Sequence, residues 1–199
     1  MKRSVQTTVG VTFGVLTFSW AVAFAVTPTG RVEKANPDKA NVAARVERGA
    51  YLVRTMGCND CHTPWKMGPR GPEPDMTRAL TGHPADLVMP PAPSLPPGPW
   101  SWVAASTNTA FAGPWGVSFT ANLTPDADTG LGTWTAEMFI ATMKTGRHEG
   151  KGRPLLPPMP YPVVASLTDE DIRSLFAYLQ SLPPVRNRVP APLDPPEGQ

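Results

Sequence analysis

Proline sets the first limit on what this chain can fold into. It occurs 26 times in 199 residues, beside 17 glycines. A residue that fixes φ and lacks an N–H is excluded from helix interiors and central strands. Pro90, Pro91, Pro93, Pro96, Pro97 and Pro99 fall close together, and extended, polyproline-type chain is expected there. The chain therefore has room for a few helices joined by long irregular connections. A small helical core of this kind often needs something further to pack around.

Where prolines thin out, helices are expected. Asp38 is a good N-cap. Val42, Val46, Gly49, Val53 and Met56 follow it at spacings of four, three, four and three, one apolar stripe on a helix that ends at Gly57. The missing side chain of Gly49 leaves room for another helix to approach. A short helix is expected from about Thr135 to Thr145, capped by Thr135 and stopped by Gly146, with Phe139, Ile140 and Met143 inward. A last helix runs from Asp169 to Leu182. Thr168 and Asp171 make a capping-box pattern, and Ile172, Leu175, Phe176 and Leu179 form the buried stripe. Pro183 and Pro184 end it, and the proline-rich tail beyond is expected to be loosely ordered. The aromatic residues Trp100, Trp102, Phe111 and Trp115 argue that the second half of the 65–118 stretch is ordered. No internal repeat and no second domain is visible.

The amino terminus reads as an export segment. Lys2 and Arg3 precede a stretch free of charge up to Gly30, apolar from Val9 to Val26, with Ala23-Phe24-Ala25 as a small-x-small cleavage site. Cleavage after Ala25 and retention as a membrane anchor through residues 9–26 both fit. Either way the positive end stays inside and the rest of the chain lies outside the cytoplasm. Setting Lys2 and Arg3 aside leaves 16 basic and 16 acidic residues. That balance excludes a nucleic-acid binder of the usual basic kind.

The two cysteines do not form a disulfide framework, because only two residues separate them. With the next residue they spell Cys58-Asn59-Asp60-Cys61-His62. Two thiols at this spacing are placed to add to the vinyl groups on one edge of a haem, and the adjacent imidazole then reaches the iron. C-x-x-C-H is the signature of covalent c-type haem attachment. A redox dithiol lacks its strand-helix context here, and a zinc site lacks a second ligand pair. Thioether sulfur is a usual second axial ligand in electron-transfer haem proteins. Met159, in Leu156-Pro157-Pro158-Met159-Pro160-Tyr161, is the leading candidate because flanking prolines stiffen its loop. Met67, Met76 and Met89 lie in the long loop, and His148 and His83 are bis-histidine alternatives. Met56, Met138 and Met143 read as packing residues.

Taken together, these residues resemble the class I c-type cytochromes, most closely the monohaem modules of bacterial respiratory chains and periplasmic dehydrogenases. The carrying stretches are Arg48-Gly49-Ala50-Tyr51-Leu52, the C-x-x-C-H run with Thr63-Pro64, Ala121-Asn122-Leu123-Thr124-Pro125-Asp126, Gly130-Leu131-Gly132-Thr133-Trp134, the Met159 loop, and Leu167-Thr168-Asp169-Glu170-Asp171 with Phe176-Ala177-Tyr178-Leu179. The resemblance implies an all-α fold, a small helical bundle around one covalently bound haem c, with Gly49 packed near Leu175–Tyr178 and Trp134 close to the haem. It implies Cys58 and Cys61 as attachment residues and His62 and Met159 as axial iron ligands. The domain would span residues 38–186, after an export or anchor segment at 1–25 and a linker at 26–37, with a proline-rich tail at 187–199. Residues 65–118 are a long insertion relative to short members: a lid, a docking surface or, as the leading expectation, extra packing. Asn122 is expected in a turn or cap rather than as a glycosylation acceptor.

The function implied is electron transfer without catalysis, on the periplasmic side, in solution or anchored to the outer face of the inner membrane. Partners would be a redox donor and acceptor in a respiratory chain. Alternatively the chain is a haem subunit fixed in a dehydrogenase or oxidase complex, or an open-site haem enzyme or gas-binding module. Lys144, Arg147, Lys151 and Arg153 form a basic run near the Met159 loop, either a solvated face or a docking site for an acidic partner.

Overall fold

The computed structural model describes residues 37–93, 95 and 98–195. The export segment, with its candidate anchor at residues 9–26, and all but the last residue of the 26–37 linker lie outside the described residues. Among those described, no helix is long and apolar enough to cross a membrane.

The helical part follows the sequence pattern closely. Helix α1 spans Pro37–Thr55, α3 spans Ala136–Thr145 and α5 spans Asp169–Gln180, with a one-turn helix α2 at Cys58–His62 and a short α4 at Tyr161–Ala165. Thr135 Oγ1 accepts from the Met138 N–H at 3.2 Å, and Thr168 Oγ1 accepts from the Asp171 N–H at 3.1 Å. Each cap satisfies an N–H that the helix itself leaves orphaned. Gly146 stops α3 in the left-handed region, at φ 65°.

The core lies where α1, α3 and α5 meet. Leu52 and Val53, Phe139 and Met143, and Ile172, Leu175, Phe176 and Leu179 are buried together, with Leu80, Leu131 and Val164. Burying each large side chain contributes about 1.5–3 kcal/mol. The α1 stripe is displaced from its expected position: Val42 is exposed and Leu52 is buried. Gly49 marks the contact between α1 and α5, since a Cβ there would run into the Ser174 carbonyl and come within 2.7 Å of Tyr178 Cβ. Arg45–Glu170 and Arg48–Asp171 ion pairs, both 2.8 Å, flank it. As surface pairs they contribute at most about 1 kcal/mol each.

The fold is not all-α. The 65–118 insertion and the residue after it form two small antiparallel sheets. One is the hairpin β1–β2, Trp65–Gly68 with Gly71–Pro74. The other has the order β3-β4-β5, Val103–Ala104, Ala110–Gly113 and Gly116–Phe119. The prolines explain why alternation did not announce these strands. Pro72 and Pro74 sit in β2, at the edge of a two-stranded sheet, where a missing N–H is tolerated. The β4–β5 turn is Pro114-Trp115, closed by Gly116 at φ 90°, not the Asn-Gly type that signals a hairpin.

The tail also departs from expectation. Its residues through Pro195 form a strap. Val117 and Leu193 exchange both backbone hydrogen bonds at 2.9 Å. The buried Asn187 donates to Thr81 O and His83 O, at 2.7 and 2.8 Å, and accepts from the Ala85 N–H. Asn122 is in a turn as expected: its Oδ1 accepts from the Thr124 N–H and hydroxyl.

Gly49→Ala is expected to destabilise the protein by about 2 kcal/mol through overpacking of the α1–α5 contact. A thermal melt of the holoprotein should show the midpoint falling by roughly 4–8 °C.

Candidate haem site

The attachment motif is held by its surroundings more than by its own short helix. Gly57, at φ 67°, turns the chain from α1 into α2. The Asp60 carbonyl then accepts from Trp65 Nε1 at 2.8 Å and from Asn108 Nδ2 at 2.7 Å. The His62 carbonyl accepts from the Gly82 N–H at 2.8 Å. Thr63, fully buried, donates to Asn59 Oδ1 and accepts from the Leu80 N–H, both at 2.9 Å. Trp65, Leu80, Gly82 and Asn108 all belong to the insertion, which therefore clamps the motif.

His62 is buried, and desolvation lowers its pKa from 6.5 while the Ala121 carbonyl partly opposes that shift. A neutral imidazole has one N–H, and Nδ1 lies 2.8 Å from Ala121 O. The proton therefore sits on Nδ1, and the Nε2 lone pair has no protein partner among the described residues. A histidine fixed in this way is a preorganised metal ligand. No disulfide joins the two cysteines. Burial pushes Cys58 up to about 11, and burial with the nearby Asp60 carboxylate raises Cys61. A reactive redox dithiol needs the opposite shift.

Cys58, Cys61, His62 and Met159 line one cavity of about 710 Å³, within the roughly 300–1,000 Å³ range of cofactor and ligand sites. Trp134 lines it as well, edge-on to His148 at 5.1 Å. Met56 and Met143 reach the wall as side chains packed on or in the helical core. His148 lines the cavity too, but His83 does not: it is buried between Thr109 Oγ1 at 3.0 Å and Leu87 O at 3.1 Å. Met67 and Met76 are exposed on the surface. Ser118, Thr120 and Arg188 are among the wall residues that sequence reasoning missed. None carries a local signal, because strand and strap bring them in from far along the chain.

Residues 46–183 match the cytochrome c family. The chain belongs to the cytochrome c family. One relative is a component of the nicotinate dehydrogenase of Pseudomonas putida (35% identical; 50% of this chain, 10% of the relative). The cytochrome c subunit of a quinone alcohol dehydrogenase from Gluconobacter oxydans is 28% identical over 75% of this chain and 24% of the relative. The gluconate 2-dehydrogenase cytochrome c subunit of Pantoea cypripedii is 31% identical over 71% and 24%. The chain thus spans a quarter or less of the length of these relatives. This cytochrome is an electron-transfer protein with one covalently bound haem c.

The cavity fits such a group. Its walls are mostly apolar, from Val53, Leu131, Phe139 and Leu175, while Arg153 and Arg188 stand at the same cavity. Thr120 Oγ1, also on the wall, is buried without a hydrogen-bond partner among the described residues. A flat apolar macrocycle bearing two carboxylates matches both features. Lys144 is not free for docking: it donates to the Ala165 and Leu167 carbonyls, at 3.0 and 2.8 Å, and pairs with Asp169.

His83 gives a pH test independent of the haem ligands. Desolvation, with Arg78 nearby, holds its pKa below 6.5 against the opposing Leu87 carbonyl and Asp86. Below that value the unfolded chain binds the proton more readily, so stability is full above it and falls as pH drops towards the folded value. His83→Gln keeps the donor to Leu87 O without the proton site. Urea unfolding of the holoprotein at about pH 7.5 and 5.5 should show a smaller acid loss in the variant.

Proposed function

We propose that this cytochrome carries single electrons outside the cytoplasm, between a dehydrogenase and a downstream redox protein. Cys58 and Cys61 would bind the haem covalently, and His62 Nε2 and Met159 Sδ would hold its iron. The observation that carries this reading is the cavity itself, where both thiols, the locked imidazole and the proline-held thioether meet.

The bound haem supplies a one-electron couple. The protein's own residues do the rest. The Ala121 carbonyl fixes the His62 tautomer and makes the ring a stronger donor to a metal. Pro158 and Pro160 stiffen the backbone on either side of Met159, and the Met159 N–H closes a turn onto Leu156 O at 3.2 Å. A thioether held this way need not be reorganised between oxidation states. Buried apolar walls disfavour the extra positive charge of the oxidised state, which raises the potential in the same direction as sulfur ligation.

The dehydrogenase partner is supported by the relatives, which are subunits of nicotinate, alcohol and gluconate dehydrogenases. The periplasmic side is supported by Lys2, Arg3 and the apolar 9–26 stretch. Residues 38–186 make the haem domain, and the strap at 187–195 completes its wall. The partner contact is of the weak, transient kind usual in electron transfer.

Met159→Ala should abolish the weak red-edge absorption band of thioether-ligated ferric haem and lower the midpoint potential on the order of 0.1 V, a part of the ~0.8 V span that axial ligands command. His148→Ala should keep the band. Ferric spectra and a redox titration of the purified holoprotein check both; a surviving band in Met159→Ala would assign the ligand elsewhere.

A further inference from the structure

We infer that Ser118 is a positioning residue for Met159, through a hydrogen bond from its hydroxyl to the Pro157 carbonyl. The inference rests on the ligand assignment proposed above and goes beyond it.

The need for such a donor follows from the loop's composition. Pro157, Pro158 and Pro160 have no N–H, so at these positions the loop offers acceptors only. It requires a donor from elsewhere. Ser118 is buried on β5, and its Oγ lies 2.6 Å from Pro157 O, two residues before Met159. Trp115 Nε1 lies 3.3 Å from the same hydroxyl. It donates to Ser118 Oγ, and the single hydroxyl proton goes to Pro157 O at 2.6 Å rather than to the other acceptor, Phe111 O, at 3.4 Å.

The anchor point is itself fixed. Val117, one residue back, is paired on one side with Ala112 of β4 and on the other with Leu193 of the strap. Three residues on from Ser118, Ala121 O accepts from His62 Nδ1. Thr120 and Ala121 follow directly on β5, which ends at Phe119. β5 and the two residues that follow it thus set the backbone position of the Met159 loop and the ring orientation of His62. An intact brace makes replacement of the thioether by a competing ligand less favourable.

The test is an imidazole titration of the ferric holoprotein, followed by loss of the thioether band. Removing one hydrogen bond of this kind changes the equilibrium about tenfold, so Ser118→Ala should lose the band at about one-tenth of the wild-type imidazole concentration. Ser118→Thr keeps the hydroxyl and should restore the wild-type midpoint. Ser106→Ala, at an exposed serine of the same insertion, should leave it unchanged. Equal midpoints for Ser118→Ala and wild type would overturn the inference, as would a Ser118→Ala shift that Ser118→Thr fails to reverse. Retention of the band in Met159→Ala would remove the ligand assignment itself, a result separate from either of those.

Discussion

The hydrogen bond from His62 Nδ1 to the Ala121 carbonyl joins parts of the chain 59 residues apart, and much of the remaining architecture exists to keep it formed. Several backbone groups of residues 117–123 are paired with distant parts of the chain. Val117 pairs with Leu193, Thr120 N–H with Thr109 O, Thr120 O with the His83 N–H, and Leu123 N–H with Leu80 O. Buried peptide groups must all be paired, so displacing one of these partners would leave others unsatisfied. The orientation of a single imidazole is therefore fixed by two strands, a strap and the loop at Leu80–His83 together.

The two halves of the protein are held by different forces. The α1, α3 and α5 side is apolar packing, with ion pairs only at its rim. The insertion side buries little large apolar surface beyond Leu80 and Phe111 and relies on satisfied polar groups: Thr63, Thr81, His83, Thr109, Asn122, Thr124 and Asn187 are all buried. Each such hydrogen bond adds only about 0.5–1.5 kcal/mol net, but leaving one unmade costs about 1–3 kcal/mol. Such a network gives less stability per contact than an apolar core, yet it tolerates fewer alternative geometries. That is a suitable wall for a site whose ligand positions matter.

What could be read from the sequence was what is local. C-x-x-C-H, the Thr135 and Thr168 caps, the α5 stripe and the proline-flanked Met159 each depend on residues within a few positions of one another. The strands were hidden because Pro72, Pro74 and Pro114 occupy places where proline usually argues against a sheet. Val42 was misplaced because a regular spacing of apolar residues shows which face they share, not how far along the helix its partner extends. Ser118 and Asn187 gave no signal, since their roles depend on contacts 39 to 106 residues away along the chain. The resemblance to a helical family predicted the helices and said nothing about what an insertion would build.

The core and the cavity share their side chains. Val53, Leu131, Phe139, Met143, Val164, Leu175 and Leu179 belong both to the buried cluster and to the cavity wall. Each packs against a neighbouring helix on one side and faces the cofactor's place on the other. A haem there adds its own apolar faces to a core too small to be generous for a chain so rich in proline. Covalent attachment then makes that contribution permanent, where a dissociable group would stabilise the fold only in proportion to its concentration. The two cysteines are thus as much a stability device as a cofactor anchor, and this accounts for a fold that needs only three substantial helices around its redox centre.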